Sequence, residues 1–338
     1  MIHTSRPRLA PRHLARAALA TLALAAGALS AGGAQAESAA DFPTRPIHVI
    51  VPFAAGSGTD NAVRMSTDYV ARKTGWTFIV DNKPGGNGII GVQEFLRAAP
   101  DGYTIISTGN TTHAANPVLF KTLPYDPIAD FTPIHRSFVA PLALFVSPKL
   151  NVNSVQELVD YIRSQPPGSV SYAAGSASHR ASAERFSQQA GLQTLHVPYK
   201  SSPQAITDLI GGHVDFMFID TAAVIGQIRG GQLKPLALTS PQRAPSMPEV
   251  PTMAESGFEG YAMGGWSVYF APKNTPAAIV DKLNAAFTQF TVSPEGQKFR
   301  ENLGAYYEEM TPGELQAWIK SELELYQDIY KKAGIQPE

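Results

Sequence analysis

Two short segments of small and hydroxyl-bearing residues carry the chemistry most readily assigned from this sequence. One spans residues 52–60 (the first loop) and the other spans residues 174–179 (the second loop). Each follows a predicted strand and opens a predicted helix, where unpaired backbone N–H groups and the helix dipole favour an anion. The candidate ligand residues are Phe53, Ala55, Gly56, Ser57, Gly58, Thr59 and Asp60 in the first loop, and Ala174, Gly175, Ser176, Ala177, Ser178 and His179 in the second.

Further polar residues sit at the ends of other predicted strands. Thr108 and Asn110 end the third strand, while Tyr199 and Asp220 end strands of the second half. For Asp60 we favour holding the first loop in shape over direct ligand contact, and His179 either donates to a carboxylate or satisfies its own helix start. The alternative for both loops is that these Gly/Ser-rich turns only join a strand to a helix and cap that helix, without binding a ligand. Two similar loops on separate lobes favour the binding of a small anion between them.

The sequence contains little evidence for the motifs of known enzyme classes. Residues 86–91 match G-x-G-x-x-G, but no acidic residue follows the next strand to hold a ribose, so this segment indicates a tight loop. The first loop lacks the lysine of a Walker A motif, neither loop forms a G-x-S-x-G elbow, and the histidines show no H-E-x-x-H spacing. With Cys 0, thiol chemistry and thiolate metal sites are excluded. We therefore expect no catalytic residue, metal or cofactor.

Strands alternate with helices along the chain, which predicts an α/β fold with mostly parallel sheets. The alternation starts at residue 47 and restarts at residue 142, and a mainly helical segment covers residues 276–333. Two such runs predict two lobes. We place residues 37–140 and 264–338 in lobe 1 and residues 141–263 in lobe 2, with chain crossings near residues 137–143 and 261–266.

The N-terminus has the pattern of a secretory signal peptide. Four arginines precede an apolar run over residues 17–29, and Ala34-Gln35-Ala36 matches a signal peptidase site. We therefore assign residues 1–36 as a signal peptide cleaved after Ala36 and predict a soluble periplasmic protein. The formal charge of -1 argues against a partner held by phosphate neutralisation, so no nucleic acid is expected.

Seven ordered segments resemble the Bug-type substrate-binding receptors of tripartite tricarboxylate transporters. Ser57 stands where the family usually has a second glycine, and Arg180 stands where a leucine commonly follows the second-loop histidine. Because exposed arginines are the usual case, we expect Arg180 on the surface instead of at the cleft mouth. The segments that carry the resemblance are residues 42–47, 51–60, 81–88, 99–104, 123–126, 196–200 and 250–255.

The resemblance implies a two-lobed Venus-flytrap fold of type II, in which backbone groups of both loops hold a ligand carboxylate, partly through water. It also implies a monomeric receptor that delivers a small organic carboxylate to the membrane subunits of a tripartite transporter. Two alternatives stay open. One is an exported hydrolase or isomerase that uses Asp60 and His179 as acid and base, and the other is a sensor subunit that presents its liganded form to a signalling protein. Citrate-like, dicarboxylate, amino-acid, aromatic-acid and amide ligands all fit the sequence.

Overall fold

The computed structural model describes Met1, residues 40–199 and residues 202–337. Residues 2–36 of the predicted signal peptide lie outside the described residues, and so does Lys200. Pro43–Glu338 forms one compact unit, and the fold given below belongs to it.

The first half of this unit is a parallel α/β layer. Strand β1 has β2 on one side and β3 on the other, both parallel to it. The first helix begins after Ser57, whose side chain accepts from the Asp60 N–H, and ends at Gly75 in the left-handed conformation. Its elements are β1 (Ile47–Val51), α1 (Gly58–Thr74), β2 (Phe78–Asn82), α2 (Ile89–Phe95), β3 (Thr104–Gly109) and α3 (Asn116–Leu119).

Two long antiparallel strands connect the halves. Strand β4 (Phe131–Val146) pairs with β9 (Gly264–Pro272) as far as Pro141 and with a strand of the second half from Leu142 onward. The sequence predicted only residues 142–146 of β4 as a strand. Its earlier part contains the polar residues His135 and Arg136 and the strand-disfavouring Pro133, and these residues obscured a strand that is mostly buried.

The second half repeats the parallel arrangement. Strand β5 lies between β6 and β7 and is parallel to both, while β7 and β8 are antiparallel to β4. Helix α5 begins after Ser176 and ends at Gly191 in the left-handed conformation. The elements are α4 (Val155–Ser164), β5 (Ser171–Ala174), α5 (Ala177–Ala190), β6 (Leu195–Pro198), α6 (Ser202–Gly211), β7 (Phe216–Asp220), α7 (Ile225–Arg229) and β8 (Pro235–Leu238).

Three helices follow β9: α8 (Ala277–Thr291), α9 (Pro294–Leu303) and α10 (Pro312–Lys332). Among the described residues the strands form one continuous sheet in the order β2-β1-β3-β9-β4-β7-β5-β6, with β8 on β4. The outer strands are parallel as predicted. The pairs made by β4 and β9 are antiparallel because the chain crosses to the second half on one strand and returns on the other.

The segment after β3, where the sequence placed Thr108 and Asn110 at a strand end, continues as a helix. Thr111–Ala115 forms a π-helical turn that leads directly into α3. Helix α10 packs on this turn, and Thr112, His113, Ala114 and Ala115 are all buried. Burial between distant elements stabilises a helix here that local propensity does not reveal.

Candidate functional site

A cleft of about 560 Å³ lies at the carboxyl ends of β1, β2, β5 and β6. This is where ligands bind in open α/β sheets, because loops and helix N-termini meet there. The residues that line it come from both halves of the sheet and from α10. They are Pro52, Phe53, Ala54, Pro84, Gly85, Asn87, Gly88, Thr111, Asn116, Leu119, Ala174, Gly175, Ser176, Ala177, Arg180, His196, Pro198, Tyr199 and Tyr330.

Asp60 holds the first loop in its conformation. Its carboxylate is 2% exposed and accepts hydrogen bonds from the Gly56 N–H at 2.8 Å, from Arg64 Nε at 3.1 Å and from Asn82 Nδ2 at 2.9 Å. Burial by itself raises the pKa of Asp60, but the hydrogen bonds from Arg64, Gly56 and Asn82 outweigh burial and hold the pKa below its ordinary value. Asp60 is therefore ionised and fully engaged within the protein.

This arrangement changes which groups of the first loop face the cleft. The Gly56 N–H is bonded to Asp60, and the Ser57 N–H donates to Ala54 O at 3.1 Å. The expectation that the N–H groups from Gly56 onward face an anion is therefore wrong for Gly56 and Ser57. Phe53 lines the cleft together with Pro52 and Ala54, whereas the rest of the predicted set lies outside the lining. These residues are Ala55, Gly56, Ser57, Gly58, Thr59 and Asp60.

The second loop presents a helix N-terminus to the cleft. Ala174, Gly175, Ser176 and Ala177 all line it. The Ser176 hydroxyl caps α5 by accepting from the His179 N–H at 3.4 Å, and it contacts the Ser178 hydroxyl at 3.1 Å. The first N–H groups of α5 have no partner within the helix, so their partial positive charge is available at this wall of the cleft.

His179 and Asp220 support the second loop from outside the cleft lining. His179 is 2% exposed, and its Nε2 lies 3.2 Å from Asp220 Oδ2 at the end of β7. His179 Nδ1 is buried and has no partner among the described residues. The pair joins the start of α5 to the neighbouring strand.

Thr108 and Asn110 also lie outside the lining and serve the fold. Thr108 is fully buried and its hydroxyl contacts Thr112 Oγ1 at 2.6 Å. Asn110 donates to Gly264 O at 2.9 Å and accepts from the Trp266 N–H at 2.7 Å, so it fixes the start of β9 to the end of β3. Sequence position placed them at the right edge of the sheet without revealing that both side chains point into protein.

Tyr199 lines the cleft, and its hydroxyl donates to Asp208 Oδ2 at 2.7 Å. Burial and the Asp208 carboxylate raise the pKa of Tyr199 to about 12, so it is neutral.

The predicted ligand residues leave out many of the residues that line the cleft, including several with polar side chains. Arg180, Asn116, His196 and Tyr330 belong to this group. The expectation of a surface position for Arg180 is wrong, because it is partly buried in the cleft wall with its guanidinium 5.7 Å from the Tyr330 ring centroid. Asn116 is fully buried, and its Oδ1 has no partner among the described residues. The sequence gave a signal for two of these residues: Arg180 departs from the family pattern, and His196 begins one of the segments that carry the family resemblance.

The glycine-rich segment after β2 also lines the cleft and packs tightly. A Cβ on Gly88, which has a φ of 86°, would lie 2.8 Å from Thr112 Cγ2 and 3.4 Å from Pro52 Cβ. Glycine is required here by both the positive φ and the close approach. The segment shapes the floor beside the first loop, in keeping with its prediction as a tight loop.

The family model described as "Tripartite tricarboxylate transporter family receptor" matches residues 62–335. The chain belongs to this receptor family. Receptors of the family are periplasmic solute-binding proteins and not enzymes. This receptor is 32% identical over 301 residues to "Protein BugT" of Bordetella pertussis, covering 88% of this chain and 92% of BugT. The resemblance noted in the sequence is thereby confirmed.

Two solved structures are similar over most of the receptor. "R. palustris Rpa4515 with adipate" is 32% identical with a TM-score of 0.77, covering 88% of this chain and 100% of that one. "MatC (Rpa3494) from Rhodopseudomonas palustris with bound malate" is 30% identical with a TM-score of 0.70, covering 85% of this chain and 99% of that one. These similarities confirm the predicted class, the two-lobed α/β fold of periplasmic binding proteins.

The enzyme alternative loses the pair on which it depended. Asp60 is committed to the first loop and His179 to Asp220, and neither side chain lines the cleft. Within the described residues no cluster of three or more His, Cys, Asp or Glu side chains has the geometry of a metal site. None of the helices in the described part of the chain has the length and apolar character needed to span a membrane.

Proposed function

We propose that this receptor captures a small carboxylate-bearing metabolite in the cleft and delivers it to the membrane subunits of a tripartite transporter. The observation that carries the proposal is the composition of the cleft wall. The α5 N-terminus opens into it, and its described lining residues include Arg180 but no Asp or Glu. Such a site favours an anion by local fields, although the whole chain has a formal charge of -1.

In this proposal the ligand binds between the two loops as the lobes close. Residues 37–140 with 264–338 form one lobe and residues 141–263 the other, and β4 and β9 are the strands that bend. The predicted residues that line the cleft contact the ligand: Phe53, Ala174, Gly175, Ser176, Ala177 and Tyr199. The other predicted residues of the two loops act indirectly, through the loop conformations that Asp60 and the His179–Asp220 pair maintain, and Thr108 and Asn110 serve the fold. The receptor works as a monomer after residues 1–36 are removed on export.

Adipate and malate, the ligands named for the two similar structures, support the carboxylate class. Binding within the cleft is tested by calorimetry on the chain lacking residues 1–36, with carboxylates and their neutral amides as matched pairs. We expect micromolar binding, roughly -8 kcal/mol, for at least one carboxylate and at least tenfold weaker binding of its amide. Amides that bind as well as the acids would contradict the proposal.

A variant locates the site. Gly175→Val places a branched side chain in the cleft wall and is expected to abolish binding. Gly226→Val is the control, because a Cβ at Gly226 meets no atom within 4 Å and this residue lies outside the lining. Equal affinity of both variants would place the ligand elsewhere. Recovery of the bound compound chemically unchanged separates a receptor from an enzyme.

A further inference from the structure

Arg180 lines the cleft without a counter-ion. None of the ion pairs in the described part of the chain includes its guanidinium. Its Nε is buried and has no hydrogen-bond partner among the same residues. A buried donor without a partner destabilises the protein, and more strongly so when the group is charged. The cost is relieved when a ligand brings an anionic acceptor.

The neighbours of Arg180 are mainly aromatic side chains, and none of them forms an ion pair with it. Its guanidinium approaches the face of Tyr330, whose hydroxyl donates to Ala177 O at 3.3 Å and so fixes the ring on the start of α5. The Glu184 carboxylate, one turn further along α5, is engaged by the Tyr172 hydroxyl at 2.5 Å. The Arg180 side chain also lies near the Tyr172 hydroxyl, whose pKa it lowers although burial and Glu184 raise that pKa overall. Arg180 is thus held by tyrosine side chains, and it forms no ion pair in the described part of the chain.

His196 adds a second unpartnered nitrogen to this part of the cleft. Its Nε2 is buried without a partner among the described residues, and its ring lies 5.1 Å from that of Tyr172. Burial and the Arg180 charge lower the pKa of His196 to about 4, so the ring is neutral at pH 7. In its Nε2–H tautomer it offers a hydrogen-bond donor to a ligand in the same cleft as Arg180.

Arg180 is separated from the helix start that receives the first carboxylate. It is the fourth residue of α5, and three residues of helix span about 4.5 Å along the axis. A guanidinium also extends well beyond its own backbone. One carboxylate on the first N–H groups of α5 therefore leaves the unpartnered nitrogens of Arg180 and His196 for another group.

We propose that Arg180, assisted by His196, binds a second anionic group, so that the receptor selects dicarboxylates over monocarboxylates of the same length. This inference rests on the proposed function, because it assumes that the cleft holds a carboxylate. It assigns Arg180 as the residue that determines specificity for the far end of the ligand.

The test compares matched acids by calorimetry at pH 7.5: succinate with butyrate, and adipate with hexanoate. We expect the wild type to prefer the dicarboxylate of at least one pair by about tenfold to hundredfold, the range of a charge-assisted hydrogen bond. Arg180→Gln is expected to abolish this preference, because it weakens the dicarboxylate about tenfold to hundredfold and the monocarboxylate by much less. Arg180→Lys, which keeps the charge, is expected to retain part of the preference.

Arg229→Gln is the matched control, since Arg229 is exposed on α7 and lies outside the cleft lining, and it is expected to behave as the wild type. If Arg180→Gln weakened both acids of a pair equally, Arg180 would serve a single carboxylate and the inference would fail. A wild type that binds both acids equally would overturn the inference and leave the proposed function standing. A wild type that binds neither series would overturn both.

Discussion

The first loop is held by its own carboxylate, whereas the second loop is held by side chains from other elements. Asp60 lies four residues after Gly56 and binds its N–H at 2.8 Å. In the second loop His179 contacts Asp220 of β7, and Tyr330 of α10 donates to Ala177 O. Two segments that are both rich in small and hydroxyl-bearing residues are therefore stabilised differently, one by local and one by long-range contacts.

The two loops also differ in charge. Asp60 is neutralised by Arg64, so the first loop offers the cleft mainly the aromatic ring of Phe53 and small residues. The second loop leads into Arg180, which has no counter-ion among the described residues. The comparison indicates that the first loop contributes shape and the second contributes the electrostatic attraction.

The largest effect is expected from Asp60→Ala, which removes the group that closes the first loop. The Gly56 N–H, Arg64 and Asn82 each lose an acceptor. We expect the free energy of unfolding to fall by about 2–3 kcal/mol and the ligand Kd to rise at least tenfold. Urea denaturation and calorimetry measure the two quantities. Asp68→Ala, an exposed position on the same helix, is the control, and equal losses in both variants would contradict a special role for Asp60.

Gly91→Ala tests whether the first loop acts through its shape alone. A Cβ on Gly91 would lie 2.7 Å from Pro52 Cβ and 2.8 Å from Pro52 Cα, so the backbone of the first loop must move. We expect a loss of about 1–2 kcal/mol in stability and several-fold weaker binding, although Gly91 is not among the lining residues. Gly226→Ala, where a Cβ meets nothing within 4 Å, should instead leave affinity unchanged. Unaltered affinity of Gly91→Ala would show that the first loop tolerates displacement.

Asp220→Ala is expected to have a smaller effect on the second loop. The Asp220 side chain is 42% exposed, so its contact with His179 is partly screened by solvent. We expect a stability loss of at most about 1 kcal/mol and a Kd increase of only a few-fold, because Tyr330 still holds the start of α5. Thermal melts and calorimetry on Asp220→Ala and Asp60→Ala side by side measure both effects. A larger loss of stability or affinity in Asp220→Ala would contradict the conclusion that the first loop depends more strongly on its carboxylate.

The smallest effect on binding is expected from a group that belongs to neither loop. Trp266 Nε1 donates a hydrogen bond to the Glu322 carboxylate at 3.0 Å. This bond and the positive charges of Arg185 and Arg136 lower the pKa of Glu322, but burial outweighs them and raises the pKa to about 7. The unfolded carboxyl ionises at lower pH, so wild-type stability falls as the pH rises from about 4.5 to 7 and is level above. Glu322→Gln should therefore gain Tm at pH 8 and not at pH 4.5, with unchanged ligand affinity.

A Tm gain that is the same at both pH values would contradict the raised pKa of Glu322. A change in affinity would show that the region where β9 meets α10 communicates with the loops.

Much of the fold could be predicted because its cues are local. Helix α1 begins after the cap residue Ser57 and ends at Gly75, and helix α5 begins after the cap residue Ser176 and ends at Gly191, as capping chemistry requires. The same locality explains why Asp60 was favoured as a loop-holding residue, since its partner Gly56 is only four positions away. The early part of β4 was missed because burial of its polar residues depends on β9, more than 120 positions later in the chain.

The sequence by itself determined the receptor family, the α/β class and the two segments that open the helices at the cleft, because these depend on order and spacing along the chain. Only the tertiary structure decided that Arg180 faces the cleft, that Asn116, His196 and Tyr330 join it, and that Thr108 and Asn110 turn away into protein. The direction of a side chain depends on what packs beside it, and for Arg180 that neighbour is Tyr330, 150 positions later in the chain.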